Sequence, residues 1–330
     1  MLRAAVVGTG YLGRFHAQKY ATLPGVSLEA VVDINPDNAQ AVADELGTSA
    51  LADHRALQGK VDLASVVVPT SEHFAVTRDL LEAGIHVLLE KPMASTVAEA
   101  QQLIELAAKN NLILQVGHLE RFNPIMQHLT EAIDRPLFIE SHRVAPFRPR
   151  GTDTNVVLDL MIHDIDLIMN MVGAPITHID ASGAAVLTRE IDIANVRLHF
   201  ASGCVANVTA SRISDKIERR MRIFQYHSYL SVDLNKGTVD VRRVADSGEM
   251  YPGIADISHE HVTVATGDAL LAEVSAFVSS VRDNTPPLVS GSDGMQVLQA
   301  AIEITRQLEQ RAPLIKGAPP QFQSNRRRPS

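Results

Sequence analysis

The sequence predicts an α/β protein in which an N-terminal doubly wound parallel sheet precedes a C-terminal α+β domain with a large, mostly antiparallel open sheet. Over the first 120 residues, short continuous apolar runs alternate with helical periods, the pattern of a parallel sheet covered on both faces. A Gly-X-Gly-X-X-Gly run, Gly8 to Gly13, sits where the first strand passes into the first helix. Beyond Asn123-Pro124 the alternation stops, and consecutive strand-like runs replace it.

In the first part the strand-like runs are Arg3–Val7, Leu28–Val32, Leu63–Val68, His86–Leu89 and Leu112–Val116. Helical stretches lie between them at Leu12–Leu23, Asp37–Leu46, Glu72–Glu82 and Val97–Lys109. Pro36 before Asp37, and Ser95-Thr96 before Ala98-Glu99, are helix-start signals. A helix is then expected over Pro124–Ile133, an extended segment through Phe138–Val144, and a strong helix over Asn155–Val172. Gly173, with Pro175 beyond it, stops that helix.

From Ile176 to about Val264 the chain reads mainly as strands: Val196–Phe200, Cys204–Ser211, Arg222–Gln225, Tyr229–Leu234 and Thr238–Val241. Asn235-Lys236-Gly237 is a hairpin turn. Helices over Ala269–Val281 and Asp293–Gln310 close the fold, before a basic tail, 321–330, expected to be disordered. The expected division is 1–120 and 121–320.

A length of 330 residues suits two domains, each with its own core, and 45% apolar with 21% charged residues is ordinary for a soluble protein. The net charge of −8 argues against nucleic acid as a partner but leaves room for a locally basic pocket holding a small anion. The single cysteine, Cys204, precludes an intramolecular disulfide and reads as a buried small hydrophobe in a reducing compartment. The N-terminus enters a strand directly, and no apolar run approaches the ~20 residues of a membrane helix. A soluble, cytoplasmic protein without a membrane partner is expected.

The glycine run has a specific chemistry. Gly8 permits the tight turn, Gly10 lets backbone approach a pyrophosphate, and Gly13 allows close helix–strand packing. Tyr11 and Leu12 complete the loop, and the helix N-terminus attracts phosphate charge. Asp33 ends the second strand 20 residues after Gly13, where a ribose-binding acid is expected. Its carboxylate accepts from both ribose hydroxyls and repels a 2′-phosphate, and Ile34 and Asn35 bring no cation. NAD is therefore expected over NADP; Arg14 is the one nearby cation that weakens the inference.

Glu90-Lys91-Pro92 follows a strand directly, at the sheet edge where ligands of open α/β sheets sit. An ammonium there supports a substrate hydroxyl as it becomes an alkoxide. In the helix 155–172, Asp159, His163 and Asp166 fall at i, i+4 and i+7, on one stripe. A carboxylate four residues before a histidine orients the imidazole and raises its basicity, which suits a general base. A salt-bridged core histidine and a His/Asp zinc site are the other readings of this spacing, the latter lacking an obvious remaining ligand set. Arg143, Arg148 and Arg150 stand in loop-like sequence, either as forks for a diphosphate or as a solvated basic loop.

Taken in order, Gly8 to Gly13 with His16 behind it, Glu90-Lys91-Pro92 and Asp159-X-X-X-His163 resemble the glucose–fructose oxidoreductase / inositol dehydrogenase (Gfo/Idh/MocA) family over nearly the whole chain. The resemblance implies a Rossmann domain, a second domain whose open sheet mediates a homodimer or homotetramer, and nicotinamide-dependent redox chemistry on a sugar or cyclitol carbon. By it Lys91 is the catalytic lysine, Asp159 the substrate-positioning acid and His163 the acid/base. Val68, Pro69, Thr70, His73 and Glu90, with Lys91, line the cofactor; no metal is implied.

Gly117-His118-Leu119-Glu120-Arg121-Phe122-Asn123-Pro124, Glu140–Arg143, Arg148–Asp153 and Asp159–Leu167 resemble more closely the bacterial branch that oxidises the 3-hydroxyl of UDP-N-acetylglucosamine. That resemblance implies a 3-keto sugar nucleotide passed to a sugar aminotransferase in diamino-sugar lipid A synthesis, with Arg143, Arg148 and Arg150 toward the diphosphate. Another family oxidoreductase, acting on a free sugar, inositol or polyol, would not need the arginines. A catalytically silent NAD-sensing protein would not need both Lys91 and His163.

Overall fold

The computed structural model describes residues 1–148, 154–251, 254–265 and 267–315. The apolar runs of the first part form a six-stranded parallel sheet in the order β3-β2-β1-β4-β5-β6. Its strands are β1 (Leu2–Val7), β2 (Val26–Val32), β3 (Ser49–Leu51), β4 (Leu63–Val66), β5 (His86–Glu90) and β6 (Leu114–Gly117). Helices α1 (Tyr11–Thr22), α2 (Pro36–Leu46), α3 (Thr70–Glu82) and α4 (Val97–Lys109) make the crossovers. Strand order reverses between β1 and β4, which opens a crevice beyond their carboxyl ends.

Local signals set the helix ends. Asn35 caps α2 by accepting from Asp37 N–H, and Gly47 ends it in the left-handed conformation at φ 67°. Thr96 and Glu99 close a reciprocal capping box on α4. The edge strand β3 was not foreseen, because three exposed or half-buried residues carry no readable periodicity.

The second sheet has eight strands in the order β14-β13-β12-β11-β7-β10-β9-β8. They are β7 (Pro136–Val144), β8 (Ile176–Ala184), β9 (Ile193–Phe200), β10 (Val205–Ser211), β11 (Glu218–Gln225), β12 (Ser228–Asp233), β13 (Thr238–Tyr251) and β14 (Ile254–Thr263). Within this sheet, among the described residues, only the β7–β10 pair is parallel. One face packs on α5 (Ile125–Ala132), α6 (Ile162–Val172) and α8 (Gly291–Ile315), with Ile139, Val196, Val208 and Ile223 against Ile165, Ile168 and Ile304. Cys204 is buried there at the mouth of β10, and burial pushes its thiol up to about 11.

The packing does not follow the expected boundary at residue 120. Helix α7 (Ala269–Asp283) returns to the first sheet and sets Val274, Phe277 and Val278 among Ala4, Val6, Tyr20, Val31 and Leu88. Helix α8 is shared, since Leu298 joins the core of the first sheet while Val297, Ala301 and Ile304 join that of the second. Apolar periodicity shows that a helix has a buried face but not which sheet receives it. The tail expected at 321–330 lies outside the described residues. Among the described residues, no helix is long and apolar enough to cross a membrane.

Phe277 is fully buried in the core of the first sheet. Phe277→Ala should therefore cost about 3–5 kcal/mol by the cavity left behind. Chemical denaturation read by a probe in the N-terminal domain checks this; an unchanged midpoint would refute the placement of α7.

Candidate active site

The carboxyl ends of β1, β2, β4 and β5 meet at one edge of the first sheet. Gly8 has φ 94°, and a Cβ there would stand 2.4 Å from the Val67 carbonyl oxygen. A Cβ on Gly13 would lie 1.8 Å from the Gly8 carbonyl oxygen. Both glycines are thus required by the chain's own packing. Gly10 differs: a Cβ there would meet nothing within 4 Å, and the N-terminus of α1 has no side-chain cap. Open space over uncapped N–H groups fits a pyrophosphate.

Asp33 follows β2 and is half-buried. Its Oδ2 accepts from Thr9 N–H at 2.8 Å and from the Thr9 hydroxyl at 2.9 Å, while Oδ1 accepts from Asn35 N–H at 2.9 Å. These bonds aim the carboxylate over the glycine loop. Arg14, the cation that clouded the choice of cofactor, turns away to Glu45 at 2.7 Å. The residues fit a dinucleotide with a free 2′-hydroxyl. Tyr11 is exposed and Leu12 half-buried on α1, and Pro69 and Thr70 open α3 beside the same crevice.

His73 departs from its expected place. It is buried, and its Nδ1 and Nε2 lie 2.8 Å and 2.9 Å from the carbonyl oxygens of Pro92 and Val68. Burial lowers its pKa, so the neutral ring donates to one carbonyl at a time. It braces the two loops from beneath rather than presenting a ring nitrogen to a cofactor.

The helix carrying His163 begins differently from the regular helix expected. Asn155 Oδ1 accepts from the N–H groups of Val157 and Leu158, at 3.0 Å and 3.1 Å, and a π turn then runs over Val157–Met161. Ile162 N–H reaches back five residues to the Val157 carbonyl. The wide turn breaks the i, i+4 stripe, and Asp159 makes no hydrogen bond to His163. Instead the Lys91 ammonium docks on the turn, donating to the carbonyls of Asp159 at 3.0 Å and Leu158 at 3.4 Å. Burial lowers the Lys91 pKa, opposed by the Asp159 and Glu90 carboxylates.

His163 Nδ1 is buried without a partner. Burial, then the charges of Lys91 and Arg143, hold the imidazole well below its ordinary pKa. The ring is therefore kept neutral, by desolvation and neighbouring cations rather than oriented by Asp159. The other acids of the motif are ion-paired: Asp166 with Arg121 at 2.9 Å, Asp164 with Arg143 at 2.7 Å. Among the described residues, the cluster that could hold a metal ion lies at His16, Glu90 and Glu273.

Arg143 requires a correction. It lies on β7, not in a loop, is buried, and grips Asp164 through Nε and Nη2 and Glu120 through Nη1 at 2.9 Å. A guanidinium so engaged is a structural tie, not an open fork for a diphosphate. Arg148 is exposed beyond β7, and Arg150 lies outside the described residues.

Two groups near the site were missed. Arg219 on β11 pairs in register with Arg143, is 48% exposed at its side chain, and has only a 3.4 Å tie to Glu120. Its charge acts on His163. His118, at the end of β6, is buried with an unpartnered Nδ1 and also acts on His163. Arg219 looked like one charge in a basic strand, and His118 had no partner nearby in sequence.

Residues 2–118 match the oxidoreductase family with an NAD-binding Rossmann fold, and residues 132–228 match the GFO/IDH/MocA C-terminal domain. A UDP-N-acetylglucosamine 3-dehydrogenase of Acidithiobacillus ferrooxidans is 40% identical over 92% of this chain and 96% of its own. A solved structure of that enzyme superposes with TM-score 0.89 at 39% identity, over 94% of this chain and 98% of the other. A myo-inositol 2-dehydrogenase of Thermotoga maritima is 26% identical over 94% of this chain and 97% of its own. The scyllo-inositol dehydrogenase of Lactobacillus casei with bound NAD(H) and scyllo-inositol shares the fold, with TM-score 0.78 at 21% identity over 94% of this chain and 98% of the other. With the glycine loop, Asp33 and the two-sheet architecture, these matches make the chain an NAD-dependent oxidoreductase of the Gfo/Idh/MocA family.

Proposed function

We propose that this oxidoreductase converts the 3-hydroxyl of UDP-N-acetylglucosamine to a ketone. The observation that carries the reading is a histidine with a buried, unpartnered Nδ1, acted on by two cations of different character. Lys91 is half-buried and docked on the π turn, whereas Arg219 is exposed and loosely tied. The full-length similarity to an enzyme named for that substrate supports it.

The glycine loop, the uncapped N-terminus of α1 and Asp33 would hold NAD, which would supply the hydride acceptor. His163 takes the hydroxyl proton, which a neutral imidazole can accept and an imidazolium cannot. Lys91 stabilises the negative charge that develops on the same oxygen, in a site that excludes much of the water. Asp159 keeps Lys91 charged against its burial and positions the sugar. Arg219 meets the diphosphate, so that binding remote from the reacting carbon orients the ring. The 3-keto product suits a sugar aminotransferase, and the pair would serve diamino-sugar lipid A synthesis in the cytoplasm. The uncovered face of the eight-stranded sheet would join two or four copies.

NAD reduction in the presence of UDP-N-acetylglucosamine and a ketone trap, with the product identified by mass, tests the reading. Turnover is expected; oxidation of free sugars or inositols but not of the sugar nucleotide would overturn it. His163→Ala should lower kcat by on the order of 10²–10⁴ while leaving NAD binding intact.

The acid limb of kcat/KM should lie below the ordinary histidine value of about 6.5. The working form is the deprotonated ring, and a lowered pKa preserves that form to lower pH. A limb at or above that value would contradict the role given to His163. Arg219→Met should raise KM for the sugar nucleotide about tenfold or more, by loss of a charge-assisted contact, without changing NAD affinity; equal effects on both ligands would remove Arg219 from the substrate site.

A further inference from the structure

Against Glu90 lies a buried polar cluster that the chemistry above does not use. Glu273 of α7 is fully buried, and neither of its carboxyl oxygens has a hydrogen-bond partner. One ligand atom each of His16, Glu90 and Glu273 all lie within 4.8 Å of one another. The Glu90 carboxylate rests against Gly117, where a Cβ would stand 2.9 Å from Oε1, and its Oε2 accepts from Lys91 N–H at 3.3 Å. Whatever shifts Glu90 therefore reaches the turn that carries Lys91.

A run of hydrogen bonds constrains the charges of the pocket. Tyr20 OH and Ser65 Oγ are 2.9 Å apart, Ser65 Oγ and His16 Nδ1 3.1 Å, and His16 Nε2 and Glu90 Oε1 3.2 Å. One consistent assignment runs donor to acceptor along this chain, from Tyr20 through Ser65 and a neutral His16 to an ionised Glu90. No cation is then left for Glu273. The Lys91 ammonium is turned to the carbonyls of Leu158 and Asp159, and Lys19 of the neighbouring helix is paired with Asp268 at 2.6 Å. A second carboxylate in this enclosure would face the first without compensation.

We infer that Glu273 is a positioning residue for the reaction: an uncharged carboxylic acid, brought by α7, that closes the pocket behind Glu90 and holds the Glu90–Lys91 turn in its working place. The inference rests on Lys91 acting at the reacting hydroxyl. Burial, then the charge of Glu90, push the Glu273 pKa well above the ordinary carboxylate range, in the same sense. The titratable groups facing it are His16 and Tyr20 of α1 and Glu90 of β5. Glu120 and Arg121, on the turn packed against α7, are engaged with Arg143 and Asp166.

Infrared spectra, melting curves and steady-state kinetics of the full chain and of the Glu273→Gln and Glu273→Ala variants test this. The wild type should show the carbonyl stretch of one protonated carboxyl group through neutral pH, absent from Glu273→Gln. Because a raised native pKa makes wild-type stability fall as pH rises, the Tm of Glu273→Gln relative to wild type should increase between about pH 5 and 8. Glu273→Ala should lower kcat about tenfold with NAD KM little changed, and Glu273→Gln, a neutral isostere, should recover most of that loss.

An absent band, or a Tm difference independent of pH, would overturn the protonated state whatever substrate the enzyme takes. A stoichiometric metal in the wild type, lost in Glu273→Gln, would overturn it too, by placing a cation where the proton is assigned. An unimpaired Glu273→Ala, or a glutamine variant as impaired as the alanine one, would overturn the positioning role.

Discussion

The relation between the two sheets at the candidate site depends on one buried guanidinium. Arg143 on β7 binds Asp164 on the histidine helix and Glu120 on the turn that follows β6. It thereby ties together an element of the second sheet, the helix over it and the exit of the first sheet. Arg121 and Asp166 make a parallel tie between the same turn and the same helix. Ion pairs so enclosed add little net stability, but removing one partner strands the other's charge at a cost of about 3–5 kcal/mol. Their geometric effect is to fix the helix in rotation and height, so that His163 stands opposite the strand end bearing Lys91.

That placement also decides the electrostatics. Burial disfavours charge on both Lys91 and His163, and the two respond differently because of what stands beside each. Lys91 has the carboxylates of Asp159 and Glu90 to oppose its desolvation. The charges acting on His163 are cationic, from Lys91, Arg143 and Arg219, so they reinforce its desolvation. The same low-dielectric setting is thus reinforced by charge at His163 and opposed by charge at Lys91. The π turn contributes by directing backbone carbonyls at Lys91, which a regular α-helix would have used internally.

Helix α7 links the two parts of the chain in the opposite direction. It leaves the second sheet, covers the first, and brings both apolar anchors and Glu273 to the back of the strand that ends in Glu90. The cofactor domain is therefore complete only once the C-terminal segment has returned, and the two units are expected to unfold cooperatively.

Much of the fold was legible because the periodicities of parallel strands and amphipathic helices are local. Elements such as β1, α4 and β10 lie within a few residues of where the apolar pattern put them. The glycine loop and Asp33 were legible for the same reason, since turn, helix start and strand end are adjacent in sequence. The family motifs Glu90-Lys91-Pro92 and Asp159-X-X-X-His163 named two segments that meet through the Lys91 contact with the π turn. What spacing could not carry was partnership. Asp159 at i−4 of His163 was read as its hydrogen-bond partner, and a π turn rotated it toward Lys91. Arg143 was read as a free cation, and two carboxylates from separate elements enclose it.

By itself, then, the sequence determined the fold class, the dinucleotide loop and the preference for NAD. Tertiary structure alone decided which charges pair, which are buried, and therefore which groups are protonated. Those properties depend on distance and dielectric between residues far apart in the chain, and local periodicity holds no information about either.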